Sequence, residues 1–151
     1  MNLLFRSQTH STPAGRSGDL AAYNARVLQL QDQAFNLACD LLGEESLAVE
    51  ILEEAFLDGF ATQIGNRPEF AQEILRRVLQ ACLKRKTVLP GPNLPEFSQA
   101  GLSNHEMVAL VLVDRLELSY AEAAEVIGVT PLNIRKTLAE ARFILISYNN
   151  H

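Results

Sequence analysis

Three clusters of side chains along this sequence carry enough charge or hydrogen-bonding capacity to do chemistry, and long apolar stretches separate them. The first is acidic: Glu50, Glu53 and Glu54 fall within residues 44–56, with Glu50 and Glu54 one helical turn apart on a shared face. Such carboxylates can hold a metal, move protons, or present a docking face to a basic partner; a plainly solvated face is the fourth reading. A carboxylate-bridged metal centre wants Glu-x-x-His pairs, and none occurs. The second cluster is basic: Arg76, Arg77, Lys84, Arg85 and Lys86 form the densest positive patch. It suits a nucleic-acid backbone, and equally a solvated helix end. The third cluster is Thr130, Asn133, Arg135, Lys136 and Thr137, residue types that hydrogen-bond base edges or phosphates. The histidines, His10, His105 and His151, are scattered and suggest neither a triad nor a metal cluster. No Gly-rich phosphate loop occurs either. Catalysis, a metal, a cofactor and a small-molecule substrate are therefore not expected.

Bulk properties narrow the class. The 151 residues suffice for one ordinary domain or two very small ones. With 48% hydrophobic residues, 7% aromatics and no Trp, the composition is globular and favours helices over strands. Cys39 and Cys82 lie within apolar helical patterns, as buried thiols do. The 1–5 stretch is too short for a signal sequence and no apolar run reaches membrane-spanning length, so a cytoplasmic protein without membrane insertion is expected. A net charge of −5 means that any nucleic-acid contact must rest on local patches.

These clusters need helices to position them. Residues 1–18 lack periodicity and read as a loose arm. Leu20, Tyr23, Val27, Leu30, Ala34, Leu37 and Leu41 then alternate steps of three and four, the mark of one apolar helix face, with Asp19 as its cap and Gly43 as its end. Ser46 is expected to cap a second helix with Leu47, Ile51, Leu52, Ala55, Phe56 and Phe60 inward, stopped by Gly65-Asn66. Pro68 suits the first turn of a third, carrying Phe70, Ile74, Leu75, Val78, Leu79 and Cys82. Pro90, Gly91, Pro92 and Pro95 make 87–101 a linker of limited flexibility. Beyond it, Ser103 with Glu106 and Ser119 with Glu122 are capping boxes. Thr130-Pro131 opens a last helix in which Leu132, Ile134, Leu138, Ala141 and Leu145 are expected to be buried. The expected fold is all-α: two small three-helix modules, 19–86 and 102–147, joined by that linker.

The segment from Tyr120 through Gly128-Val129-Thr130 into the last helix has helix-turn-helix spacing. It would place Asn133, Arg135 and Lys136 at the mouth of a major groove; a helical bundle with a solvated outer face reads the same way. Glu140 on that helix, and the acidic balance of residues 104–151, count against DNA.

Taken together, the modules resemble RNA polymerase sigma factors of the extracytoplasmic-function type. Residues 48–60 resemble the core-polymerase-binding segment of that family, with Ala48, Glu54 and Phe56 matching outright, Glu50 standing for Asp and Phe60 for Trp. Residues 38–43, Ala-Cys-Asp-Leu-Leu-Gly, resemble the family's Ala-x-x-Leu-Leu-Gly. Downstream, Leu118-Ser119-Tyr120-Ala121-Glu122, Gly128-Val129-Thr130 and the Ile134-Arg135…Leu138…Ala141-Arg142 run resemble its fourth region, which reads the upstream promoter element. The resemblance covers about residues 20–86 and 102–146. It implies a transcription initiation factor that docks on core RNA polymerase through Glu50, Glu53, Glu54, Phe56 and Leu57. It also implies contact with promoter DNA, through Arg76, Arg77 and Lys84–Lys86 on the downstream element and Thr130, Asn133, Arg135 and Lys136 on the upstream one. An anti-sigma factor is a further implied partner. The sequence departs from the family where its third helix usually carries Trp and Asn, here Ile74 and Ala81, and where Thr137 and Glu140 replace residues that are usually Arg. Those losses leave room for a second reading, a sigma-like adaptor that binds a regulator without reading DNA.

Overall fold

The structure, a computed structural model, describes residues 14–150. Seven α-helices, a 3-10 turn and a π turn account for its regular elements, and no strand occurs among the described residues. The fold is all-α.

Helix α1 (Ala14–Leu42) starts earlier than the sequence suggests. Asp19 lies inside it rather than capping it, because no proline interrupts residues 14–19; residues 1–13 of the expected arm lie outside the described residues. Tyr23, Val27, Leu30, Ala34, Leu37 and Leu41 are buried as their spacing predicts, while Leu20 is half-buried. Gly43, at φ +67°, ends α1 with its N–H donating to the Cys39 carbonyl at 2.7 Å.

Helix α2 (Glu45–Ala61) is capped at Glu44, not Ser46. Ser46 sits too far in, and its hydroxyl donates to the Glu44 carboxylate at 3.3 Å. Short of the expected Gly65-Asn66 stop, α2 ends at Ala61 and the chain passes left-handed Gln63 (φ 60°) into a 3-10 turn, Ile64–Asn66. Pro68 lies in the following turn, outside α3 (Phe70–Arg85). Tyr23 joins the three helices. Its hydroxyl donates to the Phe56 carbonyl at 2.6 Å, and its ring lies 5.2 Å from Phe60 and edge-on to Phe70 at 5.5 Å.

The connector is a strap tied down at several points. Leu89, Gly91 and Pro92 are buried, and a short helix, α4 (Pro95–Ser98), follows. The Gly91 N–H donates to the Leu41 carbonyl at 3.1 Å, and the Leu89 N–H to Asn104 Oδ1 at 2.9 Å. Asn104 Nδ2 in turn donates to the Thr87 carbonyl at 2.7 Å.

Beyond it, α5 (Asn104–Leu110) runs into a π turn, Val111–Arg115, closed by the Leu116 N–H on the Val111 carbonyl at 2.9 Å. Helices α6 (Tyr120–Ile127) and α7 (Pro131–Asn149) complete the chain. Buried side chains from both halves belong to one hydrophobic cluster, with α3 packed on α6. No helix among the described residues is long and apolar enough to cross a membrane.

Candidate functional site

Local chemistry fixes the helix-turn-helix. The Ser119 hydroxyl accepts the Glu122 N–H at 3.0 Å while the Glu122 carboxylate accepts the Ser119 N–H at 3.0 Å, a complete capping box that starts α6. Gly128, at φ +88°, ends α6 with its N–H and that of Val129 both on the Ala124 carbonyl. The Thr130 hydroxyl accepts the Asn133 N–H at 3.1 Å, and Pro131 occupies the first position of α7. Ile134, Leu138 and Ala141 are buried and hold α7 in place. Replacing Ser119 with Ala is expected to cost about 1 kcal/mol of stability by removing one cap acceptor, checked by denaturant unfolding.

This anchoring turns Asn133, Arg135 and Lys136 outward, and no ion pair engages Arg135 or Lys136 among the described residues. Thr130 is exposed but serves first as the cap. Leu132, expected to be buried, is 57% exposed. It lies two residues ahead of Ile134 and therefore faces away from the stripe that Ile134, Leu138 and Ala141 bury. Leu145 is half-buried. At the other end of α7, Arg142 grips Asp114 at 2.6 Å, and these hydrogen bonds raise the guanidinium's already high pKa.

The acidic and basic clusters, separate in the sequence, meet in space. Arg85 reaches Glu50 at 3.2 Å and Glu54 at 3.7 Å, and Lys86 reaches Glu44 at 3.8 Å. Arg77 pairs with Asp58 and donates to the Thr62 hydroxyl at 3.2 Å. Arg76 donates to the Glu125 carbonyl on α6. Of the five bases between 76 and 86, only Lys84 is exposed without an ion pair among the described residues. On α2, Glu53 and Leu57 are exposed, Leu57 by 55%, and no ion pair engages Glu53 among the described residues. Phe56 is fully buried, so it supports this face from beneath and offers no surface for contact. Its place on the core side follows from the same periodicity that buries Leu52 and Ala55.

Two exposed apolar side chains were not expected from the sequence. Phe143 and Ile146 are 71% and 59% exposed, and Phe143 lines an open hollow of about 280 Å³ with Ala100, Ile144, Ser147 and Tyr148. The signal is nonetheless present in the spacing: both residues step off the buried Ile134–Leu138–Ala141 stripe. A larger cleft of about 360 Å³ lies between α1 and the α2–α3 turn, lined by Asp19, Tyr23, Arg26, Phe60, Gln63 and Asn66 among others. Both thiols are free; burial pushes Cys39 up to about 11 and Cys82 up to about 12, leaving neither a reactive thiolate near neutral pH.

Compared with known proteins, the sequence matches no family model and no curated protein.

Proposed function

We propose that this chain is a transcription initiation factor of the sigma type, which docks on core RNA polymerase through α2 and directs it to promoter DNA through α7. The observation that carries the reading is the outward, unpaired end of α7. A cap, a left-handed glycine and three buried side chains hold Asn133, Arg135 and Lys136 on the outward side of α7, which supports contact with a major groove. Asn is a residue type that can pair with the edge of an adenine, and Arg and Lys with guanine edges or phosphates. No chemistry is performed; the catalyst is the polymerase, and this protein supplies promoter choice.

On the polymerase side, Glu53 and Leu57 form the part of α2 open to a basic, partly apolar partner. Glu50 and Glu54 join them once Arg85 turns away, since that pair is exposed and weakly held. A cytoplasmic setting follows from the proposed partners.

Reversing both cations, Arg135→Glu with Lys136→Glu, is expected to lower the affinity for a short DNA duplex by more than ten-fold at low salt. The slope of log affinity against log salt should flatten by about 2, at roughly 0.9 for each phosphate that is no longer neutralised. Fluorescence anisotropy across a salt series measures both; unchanged affinity in the variant contradicts the α7 assignment.

A second reading keeps the fold and the docking face but drops DNA: a sigma-like adaptor that binds an anti-sigma factor or another regulator. The pairing of Arg85 and Lys86 with Glu44, Glu50 and Glu54 favours it, because those bases are then spent inside the molecule. Absence of duplex binding together with capture of such a regulator would select this reading.

A further inference from the structure

Isolated apolar side chains on a protein surface are ordinary, but those near the end of α7 are neither isolated nor interrupted by charge. Phe143 and Ile146, 71% and 59% exposed, stand three residues apart and therefore share one face of the helix. Ile144, Ser147 and Tyr148 make the next row, and with Ala100 and Phe143 they line the hollow of about 280 Å³ beside that ridge. The Tyr148 hydroxyl donates to Gln99 Oε1 at 2.7 Å, so one wall of the hollow is set in advance. No charged residue occurs from Phe143 through Asn150, in a chain whose net charge is −5. Arg142, just before the patch, is spent on Asp114.

We propose that this ridge and hollow pair two copies of the chain about a two-fold axis, α7 antiparallel to α7, with the Phe143–Ile146 ridge of each copy in the hollow of the other. A ridge beside a groove on one surface is what an isologous contact requires, because each copy must present both. Charge selects the occupant. Elsewhere the net negative charge of one copy repels that of another, whereas this patch lets two copies meet without opposing like charges. An acidic or basic partner would find no counter-charge there. Glu140 is the nearest acid along α7, and antiparallel pairing directs it toward the uncharged 149–150 end of the other helix. A two-residue ridge and a five-residue hollow fall short of the roughly 20–30 residues a side of a stable complex, so the pairing is weak and reversible. Asn133–Lys136 lie ten residues, about 15 Å of helix rise, before Phe143–Ile146. Pairing therefore leaves that end of α7 uncovered, and the inference stands apart from the polymerase and DNA readings.

Sedimentation equilibrium of the full chain from about 1 to about 300 μM, at low and high salt, is the test. Wild type should pass from monomer to dimer as concentration rises. The dimer should hold or tighten with salt, because screening relieves the repulsion of the net charge and the contact itself carries none. Phe143→Ser/Ile146→Ser should weaken dimerisation at least about ten-fold, by removing the ridge from both copies. It should melt within a few degrees of wild type, since both side chains are exposed. Ser147→Arg keeps the ridge but puts a charge in the hollow, and should weaken dimerisation likewise. Leu28→Ser, which removes an apolar side chain 49% exposed on α1, should dimerise as wild type does. A wild type that stays monomeric at every concentration overturns the proposal. So does a dimer that survives the ridge variant or Ser147→Arg, that Leu28→Ser weakens equally, or that high salt dissolves.

Discussion

Phe56→Ala is expected to cost about 3–5 kcal/mol of folding stability, the range for removing a large aromatic from a closed core. Phe56 is completely buried, and its backbone carbonyl accepts the Tyr23 hydroxyl, so the cavity opens beside the residue that joins α1, α2 and α3. Against a total of about 5–15 kcal/mol this loss is large, and the melting temperature should fall by about 10 °C. Its neighbour gives the contrast. Leu57→Ala removes a side chain already 55% exposed, and should change stability by less than about 0.5 kcal/mol. If α2 is the docking face, Leu57→Ala weakens polymerase retention while the fold stays intact, whereas any effect of Phe56→Ala arises through unfolding. Thermal melts run beside pull-downs separate the two; equal melting temperatures would contradict the placement of these side chains.

Gly91→Ala is expected to be the more damaging of two glycine substitutions that look alike in sequence. Gly91 and Gly128 both hold left-handed backbone, at φ +76° and +88°, so alanine costs about 1–2 kcal/mol at either from backbone strain alone. A Cβ on Gly128 meets open space, whereas one on Gly91 lands 2.5 Å from the Met107 Sδ and Cε. Met107 is buried, but the atoms met are the flexible end of its side chain, so its shift adds at most about 1 kcal/mol. Denaturant unfolding should thus rank Gly91→Ala below Gly128→Ala. The Gly91 variant should also loosen the strap, since the Gly91 N–H holds the Leu41 carbonyl.

Periodicity made most of the fold legible. The buried faces of α1, α2 and α3 (Phe60 apart, expected inward on α2 but 37% exposed), both capping boxes, the Gly128 turn and the Thr130 cap follow from local rules, because each depends on residues within a few positions of one another. What escaped depends on distant residues or on competition. Ser46 is a fair cap by type, but the chain turns at Glu44 and leaves it inside the helix. Leu132 is apolar, yet falls off the stripe that Ile134 defines. The π turn at Val111–Arg115 leaves no local composition mark.

The candidate site divides in the same way. The outward set on α7 can be read from one helix and its cap. The engagement of Arg85 with Glu50 and Glu54 cannot, because the partners lie far apart in the chain and meet only when α2 packs on α3. Two clusters that look like separate sites in the chain are two sides of one charge-paired face.

Co-purification of the tagged full chain with core RNA polymerase tests the central claim most directly, with wild type, Glu50→Lys/Glu54→Lys and Arg85→Ala run side by side. Wild type is expected to retain polymerase. The charge-reversed variant is expected to lose it while melting within a few degrees of wild type, because the altered pairs are exposed. Arg85→Ala should retain at least as much polymerase as wild type, since it frees both carboxylates from their internal partner. Failure of the wild type to retain polymerase, or equal retention by the charge-reversed variant, would contradict the assignment of α2 as the docking face.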